Sequence, residues 1–185
     1  MAKIVTLLGD SIRLIGYGKH VPEMLGEGYE VRQPEDNCRF AAYLHRMIFD
    51  FADKIEGSDV VHYNAGLWDM NILFEDGVPF TPEEDYVKLI LRITELLKRK
   101  CDKLIFALTT PVYPGNPHHS NERIKRYNSL IIPELEKRGV VINDLYSPLI
   151  GNVKENIRSD DMIHLTDRAE KICAELVVEK IKEVL

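Results

Sequence analysis

The sequence has few means of holding itself together other than a core. Its three cysteines, Cys38, Cys101 and Cys173, are odd in number, far apart and without metal-ligand spacing. That excludes a disulfide scaffold or zinc ribbon and reads as reduced thiols with no metal. Long apolar runs are also missing. Nothing approaches the ~20 residues of a membrane span, and Ile4 to Leu8 is too short for the apolar region of a secretion signal. The cytoplasm is therefore the expected compartment, with no membrane partner. Positive charge is scarce: 24 Lys and Arg face 30 Asp and Glu, for a formal net charge of -6. A nucleic-acid surface needs the opposite balance. Gly-x-Gly-x-x-Gly and Walker patterns are absent too, so flavin or nucleotide binding ranks low and no cofactor is expected.

What is present fits one globular domain over residues 1–185, with 45% hydrophobic and 29% charged residues. A chain of this length buries roughly two thirds of its unfolded surface without staples. "KIVTLL" (3–8), "EVRQP" (30–34), "SDVVHYN" (58–64), "KLIFALTTP" (103–111) and "GVVIND" (139–144) are short β-branched or apolar runs bounded by turn residues, which makes them strand candidates. Between them lie stretches with helical spacing. "TPEED" (81–85) offers Thr81 as a cap, Pro82 preset for the first turn and Glu84 three residues after the cap, predicting a helix to about Lys100. After His164, the residues Ala169, Ile172, Cys173, Leu176, Val177, Ile181 and Val184 recur at helical spacing, predicting a terminal helix packed on a sheet.

Near-continuous apolar strands alternating with helices imply a parallel sheet covered on both faces. The expected architecture is a three-layer α/β/α sandwich with a five-stranded parallel sheet, flavodoxin-like in order. Right-handed crossovers then place the loops after strands 1, 3 and 4 on one edge, where such folds bind ligands.

Ser11 in "LLGDSI" lies just past the first strand, on that edge. Gly-Asp-Ser taken alone is an ordinary turn signature, with Asp10 read as a turn former whose carboxylate accepts local N–H groups. A nucleophilic serine needs a base and a group that orients the base. Of six histidines, His45 falls in a predicted helix and His62 inside strand 3, both reading as structural imidazoles. His118 and His119 read as loop or helix-start surface. His164 differs, because "SDDMIHLT" places Asp161 three residues before it in the loop ahead of the last helix. One short turn then brings the carboxylate to one imidazole nitrogen while the other faces outward, as in a triad.

The conjunction of "GDS" at 9–11 and "DMIH" at 161–164, in that chain order, resembles the SGNH hydrolases, the GDSL-type esterases, over the whole chain. "NAGLWD" at 64–69 looks like the third block of that family, usually Gly-x-Asn-Asp. The resemblance implies Ser11 as nucleophile, His164 as general base and Asp161 as its orienting partner. It also implies an oxyanion hole made by the Ser11 N–H, a second-block glycine N–H and a third-block asparagine. Two departures stand out. "PEDNCRF" (34–40) has no glycine, leaving a backbone N–H near Asn37 or Cys38, and Trp68 occupies the asparagine position, leaving Asn64 as the nearest amide. Asn64 either substitutes in the hole or caps strand 3. Trp68 either walls the pocket or packs on the sheet edge, and Arg39 either meets an anionic substrate group or is a surface arginine at a helix start. The Pro- and Gly-rich loop 109–117 is expected to border the same pocket.

The family resemblance implies a serine esterase acting on a small-molecule ester, with short acyl groups, acetyl above all, on a carbohydrate or similar polar alcohol. Alternatives are a lysophospholipase or thioesterase of the same family, or a non-catalytic α/β binding module with a degenerate oxyanion hole.

Overall fold

The computed structural model describes residues 2–101 and 103–185. Five strands, β1 (Lys3–Leu8), β2 (Tyr29–Arg32), β3 (Val60–Tyr63), β4 (Leu104–Ala107) and β5 (Val141–Asn143), form one all-parallel sheet in the order β2-β1-β3-β4-β5. This is the flavodoxin-like order expected. β1 coincides with its run and β2 begins one residue before its own, whereas β3, β4 and β5 are shorter than the runs that contain them. β4 ends at Ala107, and the Leu108 N–H makes a last bond to the Asn143 carbonyl at 2.9 Å; Thr109 to Pro111 remain buried beyond it, so the rest of that run records burial under loops rather than pairing.

The helices are α1 (Val21–Leu25), α2 (Ala41–Asp50), α3 (Ala52–Ile55), α4 (Glu83–Lys98), α5 (Asn121–Glu136), α6 (Ser147–Ile150), α7 (Val153–Asn156) and α8 (Asp167–Val184). α2, α4 and α5 pack side by side, while α1 and α8 form a second layer. The chain leaves β1 towards one edge and later returns past β3 and β4 towards the other. Right-handed crossovers therefore put the two sets of helices on opposite faces. Val5, Leu7, Val60, Val61, Ile105 and Phe106 fill the core between them.

Local chemistry explains the helix starts. Ser120 caps α5 by accepting the Arg123 N–H at 3.1 Å, and Thr166 caps α8 through the Ala169 N–H. At α4 the cap position is Pro82, not Thr81. The Thr81 hydroxyl instead donates to the buried Asp69 carboxylate at 2.8 Å, a charge-assisted bond that fixes it away from the helix start. Glu83, Glu84 and Asp85 still meet the positive end of the α4 dipole.

Because all strands run the same way, β1, β3, β4 and β5 deliver their following loops to one edge of the sheet. The sequence segments at 9–11, 64–69, 109–117 and 161–164 therefore converge there.

Candidate active site

Ser11 stands at the start of a short irregular helical segment, a wide π-helical Ile12–Gly16 followed by a 3₁₀ turn Tyr17–Lys19. The turn is held from within. Asp10 is buried and accepts the Ile12 N–H at 3.0 Å, as a turn former should. Burial pushes its pKa up, opposed by hydrogen bonds from the Asn64 side chain and the Ile12 N–H. Arg13, also fully buried, donates to the carbonyls of Pro34 at 2.7 Å, Asp36 at 2.8 Å and Gly9 at 3.1 Å. It staples the loop after β2 to the serine turn. Sequence inspection passes over it, because an arginine in "IRLIG" looks like a solvated helix position.

The Ser11 Oγ lies 2.9 Å from His164 Nε2, and His164 Nδ1 lies 3.0 Å from Asp161 Oδ2. The other Asp161 oxygen accepts the N–H groups of Ile163 and His164, each at 2.9 Å. Partial burial works against the carboxylate charge, but these N–H groups and the imidazole outweigh it and hold the Asp161 pKa below its ordinary value. The loop needs an unusual backbone: Met162 has φ +64°, left-handed for a bulky residue. Its carbonyl accepts the Tyr113 N–H at 3.0 Å and the Asn116 amide at 3.2 Å. The loop 109–117 thus fixes the loop of Asp161 and His164.

Two clefts meet at Ser11 and His164. One, of about 260 Å³, is walled by Leu67, Trp68, Asn71, His118, His119 and Ile163; the other, of about 250 Å³, is charged, with Lys19, Arg158, Asp167 and Glu170. Trp68 is 40% exposed and lines the first cleft. His118 and His119, expected as surface, form part of the same wall. His119 faces the Leu67 carbonyl at 2.8 Å, and burial lowers its pKa. A bare histidine pair in a loop carries no sign of this placement.

Other expected positions lie elsewhere. The Cys38 N–H donates to the Gly9 carbonyl at 3.1 Å, and the Asn37 and Arg39 N–H groups turn to side-chain oxygens of Asp36 and Asn37. None of these three N–H groups is left for a substrate, which corrects the assignment of Cys38 to the oxyanion hole. Asn64 is buried behind the serine turn: its oxygen accepts the Tyr17 hydroxyl at 3.2 Å, and its amide hydrogen-bonds Asp10. It supports the turn rather than the cleft. Arg39 places its guanidinium 4.7 Å above the Tyr43 ring and is not among the residues walling either cleft. The expectation of substrate contact gives way to a cation–π pair.

His62 is buried with Nε2 facing the Asn143 amide at 3.2 Å, and His45 faces Arg92 across α2 and α4; both are structural. The three cysteines are buried and are not joined in disulfides. Among the described residues, no three His, Cys, Asp or Glu side chains converge as a metal site, and no helix is long and apolar enough to cross a membrane.

No protein-family model matches the sequence, and a search of curated proteins finds no match. Solved structures do share the architecture. An acetyl xylan esterase aligns with TM-score 0.78 at 20% identity, covering 96% of this chain and 99% of its own. A GDSL-like lipase from Bacteroides thetaiotaomicron aligns with TM-score 0.75 at 19% identity, covering 99% and 89%. An acetylxylan esterase from Geobacillus stearothermophilus aligns with TM-score 0.77 at 13% identity, covering 97% and 94%. At these identities the likeness establishes the fold: the chain has the SGNH hydrolase fold.

Proposed function

We propose that the protein is a serine esterase that uses Ser11, His164 and Asp161 to hydrolyse short-chain esters of small polar alcohols. The observation that carries this reading is the continuous relay from Ser11 Oγ to His164 Nε2 at 2.9 Å and from Nδ1 to Asp161 at 3.0 Å. A serine in a plain turn has no reason to sit against an imidazole that is itself oriented by a carboxylate.

The chemistry follows from the positions. Ser11 Oγ attacks the ester carbonyl as His164 Nε2 takes its proton. The tetrahedral species expels the alcohol, which leaves with that proton, and an acyl group remains on Ser11. Water then attacks the acyl carbon, giving its proton to Nε2, and the carboxylic acid departs as Ser11 recovers the proton. Asp161 keeps the Nδ1 proton in place and stabilises the imidazolium at each stage.

Acetyl esters of carbohydrates are the favoured substrates. The aromatic wall of Trp68 beside the relay offers a flat face for a sugar ring, and the similar solved structures include acetylxylan esterases. The Geobacillus enzyme has also been solved as catalytic mutants of a serine and of a histidine, the residue types paired in this cleft.

The test is the initial rate of 4-nitrophenyl acetate hydrolysis by wild type and Ser11→Ala. Serine-dependent turnover is expected, with acetyl preferred to octanoyl in a chain-length series. Equal rates for the two proteins overturn the reading, and a strong octanoyl preference moves it towards a lysophospholipase or thioesterase.

A further inference from the structure

We infer that Asn71 supplies an oxyanion-hole donor, replacing the asparagine whose usual place is taken by Trp68. The inference rests on the esterase reading of the same cleft. Three observations carry it.

First, the donors that the sequence motifs suggest are engaged elsewhere. The Cys38 N–H is bound to the Gly9 carbonyl and the Asn64 amide to Asp10. Of the side chains that wall the cleft with Ser11, Asn71 is the one carboxamide.

Second, Asn71 is 8% exposed and lines the cleft together with Ser11 and His164. Its Oδ1 is buried with no hydrogen-bond partner. A buried oxygen without a partner is costly, and with Oδ1 turned inward the amine is the end left to meet an anionic oxygen in the cleft.

Third, the backbone that carries Asn71 is pinned on several sides. The Phe80 N–H donates to the Asn71 carbonyl at 2.8 Å, the Met70 N–H to Gly66 at 3.0 Å and the Ile72 N–H to His118 at 2.9 Å. Arg123 adds a bond to the Met70 carbonyl at 3.1 Å. A donor that acts on a transition state must be held in place before the charge develops. The backbone of Asn71 meets that condition, seven residues beyond the amide that the sequence motif suggested.

The experiment compares wild type, Asn71→Ala, Asn71→Asp and Asn71→Ser on an acetyl ester and on its thiono analogue, whose C=S accepts hydrogen bonds poorly. Loss of the donor is expected to lower kcat on the order of 10²–10³-fold with KM little changed, and to shrink the preference for the oxygen ester over the thiono ester. Asn71→Asp, nearly isosteric but repelling the oxyanion, is expected to be at least as slow as Asn71→Ala. Asn71→Ser, which keeps a donor, is expected to retain more activity and serves where Asn71→Ala fails to fold. A kcat for Asn71→Ala within about threefold of wild type, or an aspartate variant faster than alanine with an unchanged thiono ratio, overturns the assignment. Absence of Ser11-dependent turnover in the wild type overturns the esterase reading, and the role of Asn71 with it.

Discussion

The Tyr113 N–H donates to the Met162 carbonyl at 3.0 Å, joining the loop after β4 to the loop that carries Asp161 and His164. The bond lands on the one residue of Asp161–His164 in the left-handed region, so the loop whose backbone is least favourable is also the one restrained from outside. The position of the imidazole thus depends on residues more than forty positions upstream.

Asn116 is the second part of that restraint. Its oxygen accepts the N–H groups of His118 and His119 at 2.9 and 3.0 Å, and its amide donates to Met162 at 3.2 Å. Asn116→Ala is expected to cost about 1–3 kcal/mol of stability and to lower kcat several-fold by loosening His164. Denaturant unfolding and steady-state kinetics on the same preparation check both. An unchanged kcat would show that Tyr113 alone suffices.

Asp161→Asn should leave the loop in place, because Oδ1 still accepts the Ile163 and His164 N–H groups. The amide would then present a donor to Nδ1 and force the proton onto Nε2, where it blocks proton transfer from Ser11. Where this change has been made in other triads kcat falls on the order of 10⁴-fold, and a comparable drop with an intact melting temperature is expected here. A loss of less than about tenfold would deny Asp161 the orienting role.

Gly9 must be glycine because a Cβ there would overlap the Asn64 carboxamide and come 3.1 Å from Arg13 Cβ. Gly9→Ala is expected to destabilise the protein by about 1–3 kcal/mol, as overpacking does, and to slow fluorophosphonate labelling of Ser11 by shifting the serine turn. Wild-type stability and labelling together would show that Asn64 moves aside without consequence.

His62 makes stability depend on acid. Burial drives its pKa down from 6.5 to about 3, so the unfolded chain binds a proton that the folded chain refuses. Stability is therefore lost as pH falls from 6.5 towards 3, and is unaffected by this group above that window. His62→Gln, which keeps an acceptor for Asn143, should lose less stability than wild type between about pH 7 and about pH 4.5. Parallel denaturant midpoints across that range test the sign.

Much of the molecule is determined by local pattern alone. β-branched runs separated by helical stripes dictate a covered parallel sheet, and β1 and α8 lie where their periodicity puts them. The contacts of Ser11, His164 and Asp161 are legible for the same reason: they follow from a turn after a strand and an Asp-x-x-His spacing that one loop can close. The wall of the cleft is not. Cys38, Asn64 and Arg39 have suitable chemistry at suitable positions, yet the nearest competing partners, the Gly9 carbonyl, Asp10 with Tyr17, and the Tyr43 ring, take them out of reach of the substrate. Thr81 likewise turns to a distant partner, Asp69, and the α4 cap position falls to Pro82. A donor has only so many hydrogen bonds to give, and which acceptor receives them is settled when distant segments pack together. The tertiary structure thereby moves the free amide from Asn64 to Asn71.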